Sequence, residues 1–150
     1  MTYSETRPNE GVGQLNSLLR GEISAQETYH QAIEKLGTEG QSEVEVLREI
    51  AREHTGAVER LREAVRRAGG TPSEGSGVWG AFARAVEGAA KVAGNTAALK
   101  ALKEGEEHGL KDYKEAVDDV DPATRQLIVA DLIPAQQRHI QVLDSLLTSR

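Results

Sequence analysis

Apolar residues recur every three or four positions along most of the chain, which is the spacing of one face of an α-helix. This periodicity predicts four main helices, over about 14–36, 41–68, 95–120 and 122–148. The strict alternation of apolar and polar residues that is typical of a β-strand is not sustained in any segment. The pattern therefore predicts an all-α protein.

Residues that break or start helices separate the four segments. Gly37 and Gly40 follow the first helix, and Gly69–Gly70 end the second. Asp121–Pro122 is typical of a helix start, with Asp as the cap and Pro at the first helical position. Pro134 falls inside the last helix, where we expect a kink, because proline lacks an N–H and clashes with the preceding turn.

The lengths of the connections predict how the helices are arranged. Only a few residues join the first helix to the second and the third to the fourth, so each pair should form an antiparallel hairpin. About 26 residues, 69–94, lie between the hairpins, and within them 78–93 can form a short helix. Two hairpins and a long crossover are the plan of a ferritin-like four-helix bundle. We expect residues 1–13 to form a flexible N-terminal segment and residues 14–150 to form the bundle.

An internal repeat relates the first and third helices. Moving the chain by 84 residues aligns residues 15–36 with residues 99–120, and this similarity predicts equivalent positions in the fold. The identical pairs are Leu15 and Leu99, Leu18 and Leu102, Gly21 and Gly105, Glu22 and Glu106, Tyr29 and Tyr113, and Ala32 and Ala116.

Composition and charge restrict the kinds of function. The chain has 18 Lys and Arg against 24 Asp and Glu, and this acidic balance argues against nucleic acid as a partner. Because there is no Cys, a disulfide scaffold, a thiolate metal site and a Cys nucleophile are excluded. A polar N-terminus and the lack of a long apolar run predict no secretory signal and no membrane span, so we expect a cytoplasmic protein.

Two carboxylates lie in the apolar seams of the first and third helices. Glu22 and Glu106 are each followed seven residues later by a tyrosine on the same face, Tyr29 and Tyr113. A carboxylate buried without a partner costs several kcal/mol, so each one requires a metal, a histidine or another polar group. The alternative is that each Glu lies at the edge of the seam and reaches water.

Two histidines, His54 and His139, fall on the inward faces of the second and fourth helices. Histidine and carboxylate together suit iron, manganese or zinc. A metal-free cluster, in which the histidines hydrogen-bond the carboxylates, is the alternative. The candidate metal ligands are Glu22, His54, Glu106 and His139, and the candidate supporting residues are Tyr29, Tyr113 and Gln136.

The ligand set is smaller than that of a di-iron bundle, which needs a Glu-x-x-His pair on each of two helices. The fourth helix has Gln136-x-x-His139, and the second has His54-x-x-Ala57. Glu53 is next to His54 but points about 100° away from it on a helix. Whether the protein is an enzyme is left open, and the shortage of ligands argues against ferroxidase activity.

Several short motifs together carry a family resemblance over about residues 13–148. The motifs are Leu15-x-x-Leu18-Leu19 with Gly21-Glu22, Ala68-Gly69-Gly70-Thr71-Pro72 before Gly77-x-x-Gly80, Arg84-Ala85, Gly105-Glu106, Tyr113 and Glu115-Ala116. In these motifs the chain resembles small bacterial ferritin-like four-helix-bundle proteins classed as a domain of unknown function. The resemblance implies a ferritin-like bundle in a stress-related or uncharacterised context, and it implies no established reaction.

Two functions follow from these observations. The first is a ferritin-like protein that binds iron or manganese at a reduced interior site. The second is a metal-free, non-catalytic bundle that acts as a homo-oligomer, with a dimer favoured, or as an interaction protein. Trp79 and Phe82 in the crossover are candidate contacts for such a surface, and the long crossover would also allow hairpins to be exchanged between chains.

Overall fold

The computed structural model describes residues 8–36, 41–77 and 80–149, and in the helices it leaves undescribed the side chains of 8–10, 41, 80–87 and 89–93. Within these ranges the protein is helical and contains no strand, so the all-α prediction is confirmed. The elements are α1 (Pro8–Leu36), α2 (Gln41–Arg67), α3 (Gly80–Ala116), α4 (Pro122–Leu127), a π-helical turn (Ile128–Leu132) and α5 (Ile133–Thr148). The π turn joins α4 to α5, and the three together form one continuous C-terminal helix.

The helices pack as a bundle. Helix α1 packs along both α2 and α3, α3 packs along α5, and α2 approaches α5 less closely. The pairs that the sequence predicted as hairpins, α1 with α2 and α3 with the C-terminal helix, are therefore in contact. None of the described helices combines the length and the apolar character that crossing a membrane requires.

Most predicted helix boundaries agree with the structure. At the end of α2, Gly69 has a positive φ of 83°, and the Gly70 N–H donates to the carbonyl of Val65, as in a Schellman cap. The Asp121 side chain accepts from the Thr124 N–H at 3.4 Å and so caps α4 as predicted. Helix α1 begins at Pro8 rather than at about 14, and α3 ends at Ala116 rather than at about 120.

The crossover contains the predicted short helix. Helical structure begins at Gly80 and is interrupted at Gly94, where φ is 84° and ψ is −168°. The predicted short helix and the predicted third helix thus meet at this glycine, which adopts a conformation that other residues rarely reach. The backbone of Trp79 and the side chain of Phe82 lie outside the described part of the chain, so the contact predicted for them stays a prediction.

The last helix contains a π turn close to its proline. The turn covers Ile128–Leu132 and ends two residues before Pro134, the residue for which a kink was predicted. A proline ring clashes with the carbonyl four residues earlier, and a π turn places one extra residue in the backbone at that point. Such turns are frequent at functional sites.

The apolar core consists of two clusters. One contains Leu19, Leu61 and Ile128, and the other contains Leu47 and Leu99, all fully buried. Buried polar residues occur among them in the interior of the bundle, and these residues form the candidate site described next.

Candidate metal centre

Four helices each contribute one buried polar side chain to the interior of the bundle. Helix α1 supplies Glu22, α2 supplies His54, α3 supplies Glu106 and α5 supplies His139. Each residue is between 2% and 5% exposed. The structure therefore brings together the four residues that the sequence singled out as candidate ligands, and none of them reaches water at the edge of a seam.

His54 lies between the two carboxylates. Its Nδ1 is 2.6 Å from Glu22 Oε2, and its Nε2 is 2.7 Å from Glu106 Oε2. Burial alone would lower the pKa of His54, but the charges of Glu22 and Glu106 raise it well above its ordinary value. The ring is therefore an imidazolium that donates one hydrogen bond to each carboxylate.

Glu106 is the most heavily contacted acid of the cluster. Its Oε2 accepts from His54, and its Oε1 is 3.1 Å from His139 Nδ1. Burial raises the pKa of Glu106, but the two histidines outweigh burial and lower the value to about 2. Glu106 is thus a carboxylate under ordinary conditions.

The two tyrosines contact the carboxylates in a reciprocal way. The Tyr29 hydroxyl of α1 donates to Glu106 Oε2 on α3 at 2.5 Å, and the Tyr113 hydroxyl of α3 donates to Glu22 Oε1 on α1 at 2.6 Å. Burial and the nearby carboxylates raise the pKa of both tyrosines well above the ordinary value, so both remain donors. These two reciprocal hydrogen bonds join residues that the internal repeat of α1 and α3 makes equivalent.

His139 connects the cluster to the surface. Its Nε2 is 3.1 Å from Glu53 Oε1, and Arg138 donates to the same oxygen at 3.0 Å. The Glu53 side chain is 38% exposed. Burial raises the pKa of Glu53, but the hydrogen bonds from His139 and Arg138 lower it by more.

Glu53 is the residue of the site that the sequence analysis missed. It was set aside because it points about 100° away from His54 around α2. That direction leads to α5, where the partner is His139 rather than His54. The sequence contained one indication of this contact. Glu53 and Arg138 have opposite charges, and each is adjacent to an inward-facing histidine.

Gln136 supports the backbone next to the site. Its Nε2 donates to the carbonyl oxygen of Glu106 at 3.0 Å. Gly109 leaves the space for this contact, because a Cβ there would lie 2.7 Å from Gln136 Nε2. The supporting role predicted for Gln136 thus corresponds to a contact with backbone rather than with a carboxylate.

Three of the four candidate ligands form a compact donor group. One ligand atom each from His54, Glu106 and His139 lie within 4.8 Å of one another. Glu22 instead contacts Nδ1 of His54, opposite the nitrogen that faces Glu106. Each histidine therefore has one nitrogen on Glu106 and the other on an outer carboxylate, and an outer carboxylate on the second nitrogen is a feature that metal-bound histidines share.

Two cavities reach the cluster from opposite sides. One has a volume of about 280 Å³ and lies between α1 and α3, with Gly21, Gly105 and Tyr113 in its wall. The other has a volume of about 390 Å³ and lies between α2 and the C-terminal helix, with Glu53 and Arg138 in its wall. Glu22, His54 and Gln136 line both cavities.

The comparisons with known proteins identify a family without assigning an activity. The model of a family described as "Domain of unknown function (DUF2383)" matches residues 11–119, which is more than two thirds of the chain. The matched segment includes Glu22, His54 and Glu106, whereas His139 lies beyond it. No curated protein and no solved structure matches the chain. The chain therefore belongs to the DUF2383 family, as the resemblance to a domain of unknown function implied.

Proposed function

We propose that the protein binds one divalent transition-metal ion, iron or manganese, at His54, Glu106 and His139. The observation that supports this proposal is the buried group of two histidines and one carboxylate, whose donor atoms lie within 4.8 Å of one another. Two nitrogens and a carboxylate are a donor set suited to iron and manganese. The outer carboxylates Glu22 and Glu53 would hold the two rings in place.

The charge of the cluster also favours a cation. The two histidines are surrounded by carboxylates: Glu22 and Glu106 contact His54, and Glu106 and Glu53 contact His139. A divalent cation bound to the histidines would therefore lie close to three carboxylates. Because a buried carboxylate is expensive without a partner of opposite charge, the ion would offset part of the desolvation cost of the cluster.

The cavity between α2 and the C-terminal helix offers the ion a route from solvent. Glu53 and Asp131 are exposed carboxylates of its wall, with 38% and 50% of their side chains exposed. Asp131 pairs with Arg60, whereas Glu53 pairs with Arg138 and also contacts His139 directly. Glu53 would therefore connect the exposed wall of the cavity to the proposed metal ligands.

Metal loading of the purified protein tests this proposal. The metal-free protein is titrated with Mn²⁺, or with Fe²⁺ under anaerobic conditions, and bound metal is counted by elemental analysis. We expect one ion per chain, and Glu106→Gln and His139→Gln, which keep a polar side chain at each site, should each weaken binding by more than about 100-fold. Glu22→Gln changes an outer carboxylate and should weaken binding by about 10- to 100-fold.

The control variant is His30→Gln, because His30 is exposed on α1 and lies outside the cluster. It should bind metal as the wild type does, and circular dichroism should show that all variants are folded. Metal in fewer than about a tenth of folded wild-type chains, or an equal loss in His30→Gln, would refute the proposal.

A metal-free bundle is the second candidate, and a specific observation favours it. Among the described residues, the buried side-chain atom without a hydrogen-bond partner is Thr124 Oγ1, which is not part of the cluster. The buried side-chain nitrogen and oxygen atoms of the cluster thus all have hydrogen-bond partners within the protein. In this case the protein would act through its surface as a homodimer, and light scattering that gives twice the chain mass, together with no metal uptake, would support it.

We further propose that the protein is related to ferritin-like proteins, comes from a bacterium, acts in a stress-related role and is located in the cytoplasm. The resemblance and the composition support these four expectations. The proposed site holds one ion rather than two, because neither the second nor the fourth helix has the inward-facing Glu-x-x-His pair of a di-iron site. Ferroxidase activity of the di-iron type is therefore not part of the proposal.

A further inference from the structure

The cavity between α1 and α3 has the dimensions of a binding site for a small organic molecule. Its volume of about 280 Å³ is nearly twice the ~150 Å³ of an engineered apolar cavity that binds benzene. Leu18 and Ala25 of α1 and Leu102 of α3 provide apolar wall. The cavity thus offers a largely apolar cleft directly beside the buried cluster.

Glycines of both helices line this cavity. Gly21 and Gly105, which the internal repeat aligns, each precede a carboxylate of the cluster, and both line the cavity. A Cβ added at Gly21 would meet nothing within 4 Å. A larger residue at this position would therefore project into open space rather than into packed atoms.

The polar end of the cavity is rich in hydrogen-bond acceptors. Glu22 and Glu106 line it, and each carboxylate oxygen can accept more than one hydrogen bond. The tyrosine hydroxyl protons are already donated to these carboxylates, and both nitrogens of His54 are engaged. A ligand that reaches this end would meet negative charge and acceptors.

The other polar groups of the wall do not change this balance. The Gln136 amide donates to the backbone of Glu106, and the Thr28 hydroxyl donates to the carbonyl of Ser24. Toward the surface, His108 is 3.4 Å from the carboxylate of Asp112. An anionic ligand would therefore face two buried carboxylates, Glu22 and Glu106, and the carboxylate of Asp112.

We propose that this cavity binds a small organic cation, with its ammonium group against Glu22 and Glu106 and its apolar body between Leu18 and Leu102. The amine N–H groups would use carboxylate lone pairs that the tyrosines, His54 and His139 leave free. The apolar body would fill the space beside Gly21, where an added Cβ would meet nothing within 4 Å. The inference does not depend on a bound metal, because the cavity is present without one.

Three molecules of nearly equal size test the proposed charge preference. Benzylamine, benzyl alcohol and benzoate share a benzene ring and differ in the charge of the attached group. Each is titrated into the full-length protein in the presence of a chelator, with binding followed by NMR and by calorimetry. We expect benzylamine to bind most tightly, benzyl alcohol less tightly, and benzoate at least ten times more weakly than benzylamine, a difference of about 1.4 kcal/mol.

A pair of glycine variants tests the location. Gly21→Leu should fill the cavity and weaken benzylamine binding at least tenfold. Gly56→Leu is the matched control, because Gly56 is also helical, its Cβ would also meet nothing within 4 Å, and it lines the cavity on the other side of the cluster. If Gly21→Leu does not fold, Gly21→Ala replaces it and should give a smaller loss in the same direction.

The outcomes separate this proposal from the metal proposal. Benzylamine binding that is lost in Gly21→Leu or Gly21→Ala and kept in Gly56→Leu supports the cavity, whatever the metal content of the protein. Benzoate binding as tight as benzylamine, equal losses in the Gly21 and Gly56 variants, or no benzylamine binding by folded wild-type protein would each overturn it.

Discussion

Replacing His54 with glutamine removes the positive charge that lies between Glu22 and Glu106. In the native cluster this ring makes two hydrogen bonds to carboxylates, at 2.6 and 2.7 Å. Hydrogen bonds to charged groups contribute about 1.5–3 kcal/mol each, and removing one partner of a buried ion pair costs about 3–5 kcal/mol. We therefore expect His54→Gln to lower the free energy of unfolding of the metal-free protein by about 3–5 kcal/mol near pH 6.

The pH dependence of the wild type follows from two shifted groups. Burial would raise the pKa of Glu106, but His54 and His139 hold it at about 2, below its ordinary 4.5. Glu106 therefore contributes up to about 3 kcal/mol above pH 4.5, which is lost as the pH falls toward 2. The pKa of His54 is raised above its ordinary 6.5 despite burial, because of Glu22 and Glu106. Its contribution is fully present below pH 6.5 and is lost as the pH rises through the folded-state pKa.

The variant should respond less to acid than the wild type. Without His54, Glu106 loses the nearest positive charge, so its pKa should rise from about 2 toward the unfolded value, while His139 and Tyr29 still contact it. The smaller the difference between the folded and unfolded pKa of Glu106, the less stability its protonation removes. The free energy of unfolding of the variant should therefore fall less than that of the wild type as the pH falls from 6 to 4.

Urea unfolding at several pH values between 4 and 8, with a chelator present, measures both curves. His30→Gln is the control for loss of a histidine from the surface and should follow the wild type. A His54→Gln protein that loses stability on acidification as steeply as the wild type would refute the assignment of His54 as the cation between two buried carboxylates.

Three further predictions concern the same region. Tyr113→Phe leaves Glu22 Oε1 without its donor and should lower the free energy of unfolding by about 1.5–3 kcal/mol in thermal or urea melts. Gly109→Ala should destabilise the protein in the same melts although alanine favours helix, because the new Cβ would lie 2.7 Å from Gln136 Nε2, and a gain in stability would contradict this contact. Binding of Mn²⁺ should release a proton from His54, so affinity measured by calorimetry should rise between pH 6 and pH 8, and a pH-independent affinity would argue against His54 as a ligand.

The helices and much of the site could be predicted from the sequence because both depend on local patterns. Apolar spacing identified each helix, and the repeat identified the equivalent pairs Glu22 with Glu106 and Tyr29 with Tyr113. A carboxylate in an apolar seam needs a partner, and that requirement correctly drew attention to the inward-facing His54.

The parts that could not be predicted depend on how the helices are rotated against one another. The exchange of tyrosine contacts between α1 and α3 is a property of their packing, and no spacing within one helix contains it. The contact of Glu53 with His139 depends in the same way on how α2 faces α5. Pro134 predicted a kink in the last helix, but a proline does not specify the form of the backbone around it, and the π turn could not be predicted.

The division of the core into two apolar clusters has a consequence for how the bundle opens. Leu61 belongs to one cluster and Leu47 to the other, although both lie on α2. Each cluster can unfold locally as a cooperative unit. Local unfolding of one cluster would then extend to the other only if the hydrogen bonds between the buried charged groups also break. A cation or an amine held among those charges would then act on the whole bundle, since it would tie the opening of one cluster to the opening of the other.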